Sequence, residues 1–155
     1  GADAINATQI DETTAYAWSG LHTYSGGRIP SIRSVTGTTS LTNADCGRPI
    51  TVTAGIDTQT ITLPEASTVI GCVFQITYIG ANAGALVDIS PLDSDADGII
   101  GSCELVASIV SISGTADADI GLTKASGLIG DHITLTVISA SQFAVSDCEG
   151  IWANN

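Results

Sequence analysis

The chain has 155 residues, 16 acidic against four basic, and a formal net charge of -12. With only Arg28, Arg33, Arg48 and Lys124 to set against phosphates, nucleic acid and anionic membrane surfaces are excluded as expected partners. Hydrophobic residues make up 44% and charged residues 13% of the chain, which excludes a disordered polyanion and leaves a chain able to bury a core.

In chain order, residues 1–40 read differently from the rest. Asn6 to Tyr24 shows no strict alternation, and Ser25, Gly26, Gly27, Pro30, Gly37 and the run Thr36–Ser40 are turn and linker residues. Charge splits at the same place. Residues 1–40 carry three acids against Arg28 and Arg33, and residues 41–155 carry 13 acids against Arg48 and Lys124. The expectation is an extended N-terminal arm over residues 1–40 and a body over 41–155. The arm keeps adhesive side chains, Tyr16, Trp18, Leu21, Tyr24 and Ile29, which must be buried on some surface or remain exposed at a cost. They are the expected partner-binding residues.

The body reads as successive strands. Ile50, Val52 and Ala54 alternate with Thr51 and Thr53; Thr58–Leu63 alternates and is stopped by Pro64, which cannot donate to a ladder. Cys72–Ile79 alternates, Leu86–Ser90 is a short strand, and Glu104–Ser113 is one long strand rich in β-branched residues. Ile133–Ser139 alternates strictly, and Phe143–Ser146 and Ile151–Ala153 complete the set. Short strands between Gly and Asp turns predict an all-β fold, a compact antiparallel β-sandwich or β-barrel. The lack of an internal repeat argues against a β-helix or propeller.

One segment carries a chemical motif. Residues 93–104 read Asp-Ser-Asp-Ala-Asp-Gly-Ile-Ile-Gly-Ser-Cys-Glu, which matches the twelve-residue calcium loop at every specified position. Calcium takes six to eight oxygens, and such a loop brings carboxylates in at alternate positions. Asp93, Asp95 and Asp97 would supply oxygens, Ile99 its carbonyl, and Glu104 would close the site. The flanks read as strands, so the expectation is a Ca2+ loop between strands, with a metal-free acidic turn as the plain alternative.

Cys46, Cys72, Cys103 and Cys148 form no C-x-x-C pair, which disfavours zinc and redox motifs. Four cysteines allow three disulfide pairings, or four small buried residues in a reducing compartment. His22 and His132 sit in no metalloprotease frame, and neither a nucleophile elbow nor a P-loop is present, so no enzyme is expected. No apolar run is long enough to span a bilayer, and no basic segment followed by an apolar one opens the chain.

Several stretches resemble a class of tailed-bacteriophage structural proteins. They are Leu41–Gly47 (LTNADCG), Thr58–Pro64 (TQTITLP), Gly71–Phe74 (GCVF), Thr123–Ala125, Gly130–Asp131 and Gly150–Trp152. Their order is similar to that in the small β-domains of capsid decoration (cement) proteins and head fibres. Ala15–Gly26 is similar to linkers of trimeric phage fibres. The resemblance implies a non-enzymatic homotrimer on the outer capsid surface of a virion, bound to the major capsid protein. A phage head or tail fibre, a receptor-binding module, and a secreted calcium-binding surface or filament subunit are the rival expectations.

Overall fold

The computed structural model describes residues 31–53, 57–80, 86–92, 97–105, 108–113, 119–123 and 127–154. The arm residues Tyr16, Trp18, Leu21, Tyr24 and Ile29 lie outside them. The described chain is all-β apart from two short 3-10 turns, Asn43–Asp45 and Ala66–Thr68. Its strands are β1 (Arg33–Val35), β2 (Thr39–Ser40), β3 (Pro49–Val52), β4 (Gln59–Thr62), β5 (Val73–Tyr78) and β6 (Leu86–Ser90). They are followed by β7 (Gly98–Leu105), β8 (Ser108–Ser113), β9 (Ile120–Thr123), β10 (His132–Ser139), β11 (Gln142–Glu149) and β12 (Trp152–Asn154).

Two sheets result, one ordered β1-β3-β5-β10-β11-β7-β8 and the other β12-β9-β6-β4-β2. The period-2 alternation read from the sequence sorts the side chains. Ile50, Val52, Phe74, Ile76, Tyr78, Ile133, Leu135 and Val137 point inward from the first sheet, and Ile61, Val87, Ile89, Ile120, Leu122 and Trp152 from the second. All join one hydrophobic cluster. Each such side chain contributes about 1.5–3 kcal/mol when withdrawn from water.

The expected antiparallel pairing is corrected. The sheets are mixed: five pairings are parallel and five antiparallel. The parallel ones concentrate in residues 33–90, where β1, β3 and β5 lie side by side in one sheet and β2, β4 and β6 in the other. The chain therefore crosses from sheet to sheet with each strand and winds as three successive coils. The absence of a repeat does not preclude this winding, because the coils differ in length. Ile50 pairs with Arg33 and then with Ile76, positions 17 and 26 residues apart.

Two further expectations change. Residues 33–40 are body and not arm: β1 pairs with β3, and β2 with β4. The expected single strand Glu104–Ser113 is two, with Leu105 opposite Ser108 in an antiparallel pair.

Both disulfides form, and the pairing that sequence leaves open is Cys46–Cys72 and Cys103–Cys148, with Cα–Cα separations of 5.4 and 5.5 Å. The first ties the end of one coil to the start of β5. The second ties β7 to β11 beyond the end of their parallel ladder, whose last pair is Ile100 and Ala144.

Candidate partner-binding surface

Of the acidic motif, residues 97–104 are among those described. Asp93 and Asp95 lie outside the described residues. Asp97 is buried, and its Oδ2 accepts the Ala66 N–H at 2.8 Å, so this carboxylate anchors the second 3-10 turn. From Gly98 onward the motif is strand β7. Ile99 packs in the core opposite Phe143, and Glu104 stands opposite Ile109. Six strand residues at about 3.3 Å each place Glu104 roughly 20 Å from Gly98. A calcium loop needs its first and last carboxylates around one ion at about 2.3–2.6 Å. The extended β7 carries Glu104 away from Gly98. Over residues 98–104 the chain is extended by β7 pairing, where a twelve-residue calcium loop would curl. Among the described residues, no group of three or more His, Cys, Asp or Glu is arranged to hold a metal ion.

The body has two ends, fixed by strand direction. Strands β1, β3, β5, β7 and β11 of the first sheet all start at the end where the chain enters at residue 31, and β10 finishes there. At this entry end lies a buried carboxylate, Asp45. Arg33 Nη1 donates to its Oδ2, which also accepts Thr42 N–H at 2.8 Å and Thr42 Oγ1 at 3.1 Å. Arg48 Nη1 lies 3.4 Å from its Oδ1. Arg33 reaches on to the Ser40 carbonyl, and Arg48 Nε to that of Ser31. A buried charge must be paired. Here the pairing uses Arg33 and Arg48, which are the only Lys or Arg among the described residues. The rest of the described surface is left without a fixed cation.

At the far end, where β5 finishes and β10 begins, a tight turn precedes β10. The Leu128 N–H donates to buried Asp131 Oδ2 at 2.8 Å, and the Asp131 N–H to the Leu128 carbonyl at 3.1 Å. The turn is sewn to β5, with Gly130 N–H on the Tyr78 carbonyl and Tyr78 N–H on the Asp131 carbonyl. Gly150 packs against it so closely that an added Cβ would stand 2.4 Å from Asp131 Cγ; Gly150 also has φ +112°, where glycine is favoured. This scaffold holds two bulky apolar side chains in solvent: Leu128 is 67% and Ile129 72% exposed. Ile79 and Ile151, also exposed, flank the same end. A second exposed set, Ile32, Ile70, Val73 and Ile138, lies at the entry end.

Beside the far turn, His132 opens β10. Its Nδ1 lies 3.1 Å from the Gly130 carbonyl, and its Nε2 lies 3.0 Å from Asp147 Oδ2 on β11. Glu149 Oε2 is 3.9 Å from Nδ1. The hydrogen bond to Gly130 raises the imidazole pKa above 6.5; partial burial opposes this, and Asp147 and Glu149 add to it. With acceptors at both nitrogens the ring favours the doubly protonated cation. Its neighbours Asp147 and Glu149 are themselves exposed, so this corner of the far end carries acidic charge.

Sequence reading did not single out the Leu128–Asp131 turn. The signal was present as two bulky apolar residues set directly before Gly-Asp, where turns ordinarily carry polar residues. Compared with protein-family models, curated proteins and solved structures, the chain finds no match in any of the three.

Proposed function

We propose that the protein is a virion structural component, a capsid decoration protein on the outer shell surface that acts by docking and bracing and not by catalysis. The observation that carries this reading is a small body cross-linked twice that nevertheless holds large apolar side chains in solvent on a braced turn. Monomeric surfaces seldom cluster such residues without a partner. Paired cysteines suit a protein exposed to oxidising surroundings, as an outer virion surface is. A surface whose described fixed cations are consumed by Asp45 suits a position facing solvent and away from packaged nucleic acid. In this reading the two sheets face each other as a sandwich over their shared core. The arm residues Tyr16, Trp18, Leu21, Tyr24 and Ile29 reach sister subunits of a homotrimer, and the trimer sits on the major capsid protein.

The second reading is a head or tail fibre or receptor-binding module. It draws on the concentration of Leu128 and Ile129 at one end of the body, where a recognition tip would carry them. The test uses the full chain. Light scattering gives its mass, and co-sedimentation with genome-free capsids of the encoding virus gives shell binding. A trimer that saturates the shell is the expected result. A monomer that leaves capsids unbound overturns the proposal, and binding to host cells in place of capsids transfers it to the second reading.

A further inference from the structure

We infer that the Leu128–Asp131 turn is the docking anchor of the body and that its partner is a protein surface with an apolar recess rimmed by Lys or Arg. The inference rests on the proposed seat on a capsid and names the face that makes it.

The turn is built as an anchor. Its tip side chains, Leu128 and Ile129, are the most exposed large apolar residues among those described. The backbone beneath them is fixed by Asp131 from within, by Tyr78 from β5 and by the missing side chain of Gly150. A tip already held in one conformation loses little freedom on binding, so its apolar area is available for affinity. Interfaces concentrate their energy in such central apolar groups surrounded by a polar rim.

The rim defines the partner. Asp147 and Glu149 stand beside the turn with side chains 65% and 78% exposed, and the one described basic group near them, His132, is engaged by both. Like charge on an anionic bilayer or on the same face of a second copy would be repelled. A recess flanked by Lys or Arg would be steered in and aligned.

The experiment measures co-sedimentation with genome-free capsids for four proteins at low and high salt. They are the wild type, Leu128→Ser/Ile129→Ser at the turn, Ile70→Ser/Ile138→Ser at the entry end, and Asp147→Lys/Glu149→Lys at the rim. Circular dichroism establishes that each is folded. The turn variant is expected to lose at least about tenfold in affinity, and the entry-end variant to stay within about twofold of wild type. The rim variant weakens, and wild-type binding falls as salt rises. A turn variant that binds as tightly as wild type overturns the anchor while leaving the capsid proposal standing. Wild-type protein that ignores capsids removes both. Self-association in the absence of capsids, or binding to phosphatidylcholine vesicles, that disappears with Leu128 and Ile129 reassigns the turn to a second copy or to lipid and overturns the partner named here.

Discussion

Residues 33–90 and residues 98–154 build the same two sheets by opposite means. In the first region each strand pairs parallel with one that is two elements away, so every pairing waits on a crossing to the other sheet and back. In the second, β7 with β8 and β10 with β11 are antiparallel neighbours in sequence, closed by short reversals. Non-local pairing carries a larger chain-closure cost before contacts reward it. In the wound region Asp45 joins β1 to the segment before β3 and Cys46–Cys72 joins one coil to the next; in the second region Cys103–Cys148 joins β7 to β11, whose parallel pairing is also non-local. The lesson is that in both regions the disulfides join stretches that are far apart in sequence.

The largest expected effect comes from cutting the cross-links one at a time. The loops they close span 26 and 45 residues, so chain entropy assigns about 3.5 kcal/mol to Cys46–Cys72 and about 4 kcal/mol to Cys103–Cys148. Urea melts of the two double Cys→Ala variants would measure both. If the wound region depends on its tie for more than entropy, Cys46→Ala/Cys72→Ala will lose more than this arithmetic allows, and the ranking will invert.

Asp45→Ala removes the acceptor of two guanidinium groups and of the Thr42 N–H, at an expected cost of about 3 kcal/mol. Hydrogen exchange should show the loss in β1 and β3 while β10 and β11 stay protected. Uniform loss of protection would contradict the division into two regions.

In the hairpin region the matching test is Gly101→Ala. The residue has φ +143°, and a Cβ there would stand 2.8 Å from Val145 Cβ, so strain and overpacking together should cost about 2 kcal/mol. A thermal melt unchanged from wild type would mean that β7 and β11 separate easily beyond Ile100 and Ala144.

The smallest effect is a pH dependence confined to β10 and β11. Because the folded His132 pKa lies above 6.5, its contribution is complete below about pH 6.5 and is lost as pH rises through the raised folded value. With exposed carboxylate partners it should stay below about 1 kcal/mol. Melting midpoints across this range should fall slightly in the wild type and lose that component in His132→Asn.

Much of the first level of structure was legible. Ile133, Leu135 and Val137 alternate and are buried as read, and Gln59–Thr62 lies inside the strand expected over Thr58–Leu63. What alternation cannot supply is partner direction, since a half-buried strand has the same period in a parallel or an antiparallel ladder. The reversal between Leu105 and Ser108 was hidden because Val106 and Ala107 carry no turn signal. Strands β1 and β2 were hidden because Gly37 and its Thr and Ser neighbours read as linker. Of the site, the motif at residues 93–104 was legible as a pattern, but the twelve-residue spacing says nothing about a neighbouring strand that pairs with its second half. The exposed turn was invisible to a reading that takes apolar residues as core.

The engagement of Arg33 and Arg48 has a consequence for proteolysis. Trypsin cuts after Lys or Arg but is blocked when proline follows. Arg48 precedes Pro49, and Arg33 lies in a paired strand with its side chain committed to Asp45. That leaves Arg28 and Lys124 as the remaining points of attack. A cut after Lys124 would separate Cys103 from Cys148 in sequence while their disulfide still joined the two fragments. A cut after Arg28 would release residues 1–28, which contain no cysteine, while the two larger fragments should run as one species on a non-reducing gel and separate there only once reductant is added.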